Sequence, residues 1–159
     1  MLYADARSVR EERSRQRYAL QDFSLVRVSL IKGKQSWKVG SIEIQKNYYH
    51  EAVDKEARGS VVSVFRLLRR FVKGEEVSLV LFDYVRATLE VLHSEVAQRA
   101  FVQLATQVHI LALLGYVDVK RIPDLLQNIA PANIVNEYSE QNLKIIEQLY
   151  THALTVSQL

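Results

Sequence analysis

The stretch FSLVRVSLIKGKQSWKVGSIEIQ, residues 23–45, holds two runs in which apolar and polar residues alternate, separated by a glycine-lysine pair. Alternation with a period of two marks a half-buried strand, and a glycine at the first central position suits a two-residue type II′ turn. The spacing predicts a hairpin with strands Phe23–Ile31 and Gln35–Gln45 about Gly33-Lys34. A two-residue loop there makes cross-strand partners sum to 67, setting Leu30 against Trp37, Val28 against Val39, Leu25 against Ile42 and Phe23 against Ile44. The apolar face changes sides between Leu25 and Val26 on one strand and between Ser41 and Ile42 on the other, at the level of Gly40. Such a change suits a strongly coiled sheet or a small barrel, in which glycine permits the bend. Arg27, Ser29 and Lys38 fall on the face opposite Trp37, which reads as a core residue.

Directly upstream, Arg7, Arg10, Arg13, Arg15 and Arg17 lie within eleven residues, interrupted by Glu11 and Glu12 and followed by Tyr18, Leu20 and Phe23. The segment reads as a loop tied to a fold. Guanidinium groups grip phosphate oxygens in a planar fork and stay charged at any cellular pH, so the pattern points to nucleic acid. Charge is uneven along the chain. Residues 1–46 hold ten Lys and Arg against five acids, and the remainder holds eleven against thirteen. The sequence therefore divides near Asn47 into a basic region, 1–46, and a nearly neutral one, 47–159.

Leu2 to Ala6 is a further short strand. From Glu51 onward the apolar spacing becomes helical. Val61, Val64, Phe65, Leu68, Phe71 and Val72 predict a first helix that stops at Gly74. A second runs from an N-cap at Ser78 to His93, a third from about Val96 to Leu114 before Gly115, and a last follows Ser139 with Leu143, Ile146, Leu149 and Leu154 on one side. The segment from Tyr116 to Val135, with Pro123 and Pro131, reads as a shorter helix with connections. The expected class is α+β: a β-sheet of about three strands, then an all-α domain of four to five helices.

Composition limits the chemistry. The 159 residues are 48% hydrophobic and 25% charged, with two Pro and five Gly, an ordinary composition for a folded domain. There is no cysteine, which removes disulfides, thiolate metal sites and cysteine nucleophiles. His50, His93, His109 and His152 stand apart without the spacing of a metal site, and the five glycines form no phosphate loop. Glu75-Glu76 reads as a solvated loop pair, and Arg66, Arg69 and Arg70 as a charged helix face. No catalytic constellation, metal or cofactor is expected, nor any membrane span or export signal, and the expected location is cytoplasmic.

The run Ser14-Arg15-Gln16-Arg17-Tyr18-Ala19-Leu20-Gln21-Asp22-Phe23-Ser24, preceded by Ala6-Arg7, resembles the loop and following strand of RecO-type recombination mediators. Leu67-Leu68 with Phe71, Gly74-Glu75-Glu76-Val77, Leu81-Phe82 and Leu113-Leu114-Gly115-Tyr116 are similar to that family's helical domain, in the expected order. The resemblance implies an N-terminal OB-fold and a C-terminal helical domain. It further implies binding and annealing of single- and double-stranded DNA, contact with single-stranded-DNA-binding protein, and cooperation with RecR in loading RecA during DNA repair. On this reading Arg7, Arg10, Arg13, Arg15, Arg17, Arg27, Lys32, Lys34 and Lys38 hold phosphates, while Tyr3 and Tyr18 are core or rim residues.

Three departures bear on these expectations. Asp5 stands where the family tends to have glycine, and the zinc cysteines of many relatives are absent. An OB-fold needs five strands, and about three fit before Asn47. Met1 then reads as an internal methionine, with two strands missing ahead of Leu2. An incomplete barrel leaves an open sheet edge. The expected consequence is self-association through that edge, with residues 51–159 folding alone. A rival of another class is a non-enzymatic adaptor that works through its helical domain.

Overall fold

The computed structural model describes residues 4–5, 19–34, 36–73 and 78–156. The chain is α+β, a small sheet followed by helices. The sheet consists almost entirely of an antiparallel pair, β2 (Ser24–Lys32) and β3 (Trp37–Asn47). A two-residue strand, β1 (Ala4–Asp5), lies parallel to β3, giving the order β1-β3-β2. Among the described residues β2 is therefore an edge strand.

The hairpin forms where the alternation places it, but its register differs. The last ladder pair is Lys32 with Trp37, and the Gly33 N–H donates to the Ser36 carbonyl at 2.9 Å. The turn is thus centred one residue later than expected, and partners sum to 69 near the tip. Leu30 faces Val39 instead of Trp37, Val28 faces Ile42 instead of Val39, Leu25 faces Lys46 instead of Ile42, and Phe23 lies beyond the ladder. The physical reason is the use made of Gly33. A Cβ there would stand 2.8 Å from the Ser36 carbonyl oxygen, so this glycine serves close approach and not a left-handed turn position.

Two irregularities, between Val28 and Leu30 and between Leu25 and Val26, each place one extra residue on β3, which is why it has eleven residues against nine in β2. The first falls at Gly40-Ser41, where a Cβ on Gly40 would meet the Ser29 hydroxyl at 2.6 Å. There the Ser41 N–H donates to the Ser29 hydroxyl at 2.7 Å. The extra residue absorbs the change of side expected on β3, so Val39 and Ile42 share one face. That face carries Val26, Val28 and Leu30 opposite Ile44, Ile42 and Val39, with Lys32 and Trp37 at the tip. The other carries Arg27 with Glu43, Ser29 with Ser41, and Ile31 with Lys38. On β2 the change between Leu25 and Val26 is real, because Phe23 and Leu25 pack against the helical core.

Among the described residues four α-helices follow the sheet: α1 (Lys55–Phe71), α2 (Leu79–Leu92), α3 (Arg99–Leu113) and α4 (Glu140–Val156). Asp54 caps α1, its carboxylate accepting the Ala57 N–H at 2.7 Å, and Ser78 caps α2 through the Leu81 N–H at 3.1 Å. The expected stop at Gly74, and Glu75-Glu76, lie outside the described residues. α3 ends at Gly115, whose φ of +81° is the left-handed conformation that glycine adopts without strain. The segment expected to be a short helix between Tyr116 and Val135 is instead three 3-10 turns, at 119–121, 124–126 and 131–137.

α3 is the centre of the helical unit. Nine of its residues, from Phe101 to Leu111, are buried, and α1, α2, α4 and the 131–137 turn pack around it. Its buried polar groups are satisfied locally. Thr106 donates to the Val102 carbonyl at 2.9 Å, Gln107 to Ser63 at 2.8 Å, and His109 bridges the carbonyls of Ala105 and Leu126. The core also contains Tyr48, 2% exposed, so the helical unit begins no later than residue 48 and a piece starting at 51 lacks a core residue. Among the described residues no helix is long and apolar enough to cross a membrane.

Candidate nucleic-acid interface

Three lysines fall within seven residues of the hairpin tip, at 32, 34 and 38, with no acid between them. β2 ends on Lys32, the turn carries Lys34, and Lys38 is the second residue of β3. The Lys32 ammonium stands 6.0 Å from the centre of the Trp37 ring, its ladder partner. Among the described residues no carboxylate forms an ion pair with any of the three lysines. Trp37 is half-buried and sits outside the main core, so it is a rim residue and not the core residue the sequence suggested. An exposed cation cluster beside a large aromatic can pair with phosphates and offer a ring on which a base stacks.

Arg27 is placed differently. It lies five positions from Lys32 along β2 and meets Glu43 at 3.5 Å, both side chains being about 70% exposed. The sequence reading grouped Arg27 with the phosphate-binding set on the basic face that it shares with Ser29 and Lys38. In the observed ladder Arg27 and Glu43 are direct neighbours, and their charges offset each other. Arg7, Arg10, Arg13, Arg15 and Arg17, with Tyr3 and Tyr18, lie outside the described residues.

Arg66, Arg69 and Arg70 are exposed on α1, as a charged helix face requires. Arg70 also has a structural role, donating to the Leu154 carbonyl of α4 at 3.0 Å. It ties the ends of two helices together.

The tip is held at a distance from the helical unit by a junction that the sequence did not reveal. Asn47, 6% exposed, donates from Nδ2 to the Asp22 carbonyl at 3.1 Å and to Ser24 at 2.9 Å, and its Oδ1 accepts the His50 N–H at 2.9 Å. Phe23 adopts a left-handed conformation with φ +67°, unusual for a bulky residue. Its ring stacks on Tyr49 at 5.3 Å and meets the edge of Phe65 of α1 at 5.1 Å. On the α2 side, Glu90 accepts from Lys46 at 2.7 Å and from the Tyr48 hydroxyl at 2.9 Å.

Burial alone would raise the Glu90 carboxyl, but the hydrogen bonds from Lys46 and Tyr48 together outweigh it and hold the group below its ordinary value of 4.5. Burial, and then the bond to Glu90, push the Tyr48 phenol upward, so it remains a donor throughout the neutral range. The sign of the pH effect follows. A carboxyl depressed on folding stabilises the native state above its unfolded value, and the contribution is lost as pH falls through the depressed one. Amide exchange at Lys46 to Tyr48 is therefore expected to accelerate, relative to the α3 core, as pH falls below about 4.5. Glu90→Gln should abolish that acid-specific loss, measured by exchange from pH 3 to 7.

Comparison with protein-family models, with curated proteins and with solved structures finds no match to this chain.

Proposed function

We propose that the protein is a DNA-binding recombination mediator of DNA repair, which holds single-stranded DNA by its phosphates and brings complementary strands together without reading their sequence. The observation that carries this reading is the tip cluster, with Lys32, Lys34 and Lys38 around Trp37 and no described carboxylate paired with them. The arginine-rich segment immediately upstream, residues 7–17, adds charge of the same sign. The resemblance to RecO-type mediators supplies the class. On that reading the sheet is part of an OB-fold, the helical unit is the partner-binding domain, and the partners are RecR and single-stranded-DNA-binding protein in the cytoplasm.

The mechanism needs only charge and geometry. Each lysine or arginine that pairs with a phosphate releases condensed counterions, so affinity comes from the backbone and is blind to sequence. With about four contacts on single-stranded DNA, the log of affinity falls against the log of salt concentration with a slope near −3. Fluorescence anisotropy of a labelled oligonucleotide across a salt series measures it. Affinity independent of salt would sink the proposal.

One observation favours an adaptor as the second reading. Leu79, Val80 and Phe82, in the first turn of α2, are 73%, 66% and 52% exposed, more than a solvated helix end requires. On that reading, loss of the tip lysines leaves every activity intact, whereas substitutions at Val80 and Phe82 remove partner binding.

A further inference from the structure

Among the described residues the outer edge of β2 is open, and its sequence is complementary to itself. Among the described residues only β3 pairs with β2, so the backbone groups directed away from β3 along nine residues have no strand beside them. Natural edges are commonly blunted by charged side chains, a proline, a bulge or extreme shortness. β2 contains no proline, both extra residues of the hairpin lie in β3, and its two charged residues are Arg27, already paired with Glu43, and Lys32 at its end. It also exposes apolar side chains, with Val28, Leu30 and Ile31 at 38%, 36% and 59%.

We propose that this edge binds the same edge of a second copy of the chain, the two β2 strands running antiparallel about a twofold axis through Val28. Position 28 is the middle of the strand, so partners across the axis sum to 56. Val28 then faces Val28, Val26 faces Leu30, Leu25 faces Ile31, Arg27 faces Ser29 and Ser24 faces Lys32. Every apolar residue meets an apolar one, and no cation meets a cation. Neighbouring registers fail this test. A sum of 54 sets Arg27 against Arg27, 58 sets Val26 against Lys32 and Arg27 against Ile31, and 55 or 57 set valines against arginine or serine. Direct like-charge pairs destabilise a sheet, whereas apolar pairs stabilise it.

The charges agree with the same register. Each Arg27 already has Glu43 beside it on β3, so the two arginines that come diagonally close at the axis bring compensating carboxylates with them. The pairing also joins the apolar faces of the two sheets, since Val26, Val28 and Leu30 lie on the face shared with Val39, Ile42 and Ile44. The interface is isologous, which closes at two copies instead of propagating. Lys34 and Lys38 lie outside β2 and take no part in the pairing, whereas Lys32 ends the strand opposite Ser24 of the second copy.

The test uses the full 159-residue chain. Sedimentation equilibrium is expected to give a monomer–dimer system with Kd of roughly 10–100 µM, as suits a small contact. Val28→Lys sets two ammonium groups against each other at the axis and should weaken the dimer more than tenfold. Its helical circular dichroism and melting should stay unchanged, since Val28 lies outside the core. Because the chain has no cysteine, single cysteines report the register. Val28→Cys should crosslink to itself on mild oxidation, whereas Val26→Cys and Leu30→Cys should crosslink to each other when mixed and poorly alone. A chain still monomeric at about 200 µM, whose edge is then left to a strand of another protein, overturns the proposal. So does a folded Val28→Lys variant that remains dimeric, or a crosslinking pattern of another register.

Discussion

Replacing Lys32, Lys34 and Lys38 together by glutamine is expected to weaken binding to single-stranded DNA by about 100-fold at low salt and to make the salt slope shallower by about 2. The slope is the more diagnostic of the two numbers. It counts phosphate contacts at about 0.7 each, so three lost contacts give the change whatever the absolute affinity. A fall in affinity at constant slope would mean that the lysines shape the tip without touching phosphate. The control is Arg27→Gln, which removes one positive charge, as each single lysine substitution does, from the neighbouring surface. Because Arg27 is paired with Glu43, its loss should change affinity by less than about threefold and leave the slope nearly unaltered. Equal effects from Arg27 and from each lysine would refute the assignment of the tip as the contact surface. If the triple variant binds DNA like the parent, the proposed function falls for the described part of the molecule.

That contrast between Arg27 and the lysines was not legible in the sequence, for a specific reason. Composition and alternation located the hairpin, and helical spacing located α1 to α4 with the caps at Ser78 and Ser139. Side-chain pairing, however, depends on register, and register turned on how one glycine was used. Read as the provider of a left-handed turn, Gly33 gives a sum of 67. Used for close approach to the Ser36 carbonyl, it gives 69, and each extra residue on β3 then adds one more. A shift of three positions is what brings Glu43 opposite Arg27. Sequence pattern carries the period of a strand but not the position of its bulges. Gly40 was a visible sign of a bend, yet only contact with the Ser29 hydroxyl says that the bend takes the form of an extra residue. The 3-10 turns between 119 and 137 escaped for a related reason. The apolar residues Ile122, Leu126 and Ile134 in and beside them are spaced compatibly with a helix, and the shape of the turns is set by packing, with 131–137 against α2 and α3 and 124–126 against 131–137.

Asn47→Ala is expected to cost about 2–4 kcal/mol at the junction between sheet and helices. Its side chain makes three hydrogen bonds in a nearly closed site, to the Asp22 carbonyl, to Ser24 and from the His50 N–H. Removal leaves a part-buried carbonyl and a part-buried N–H without their partner, and that asymmetry makes the loss greater than a typical exposed hydrogen bond. The expected readout is local. Exchange protection in β2 and β3 should fall by a factor of about 30 or more, while protection in α3 changes little, because α3 packs among helices and not on the sheet. Asn47→Asp discriminates the cause. It matches asparagine in shape, so a site that requires only filling should tolerate it. But it replaces the amide donor with an acceptor facing the Asp22 carbonyl, and it sets a second carboxylate beside Glu51, which accepts the Asn47 backbone N–H at 2.9 Å. If the junction works through directed hydrogen bonds, Asp must be worse than Ala at neutral pH and recover in part as the new carboxyl is protonated. An aspartate variant as stable as the parent would reduce Asn47 to a filler, and would shift the positioning of the basic tip onto Phe23 and the Glu90 contacts.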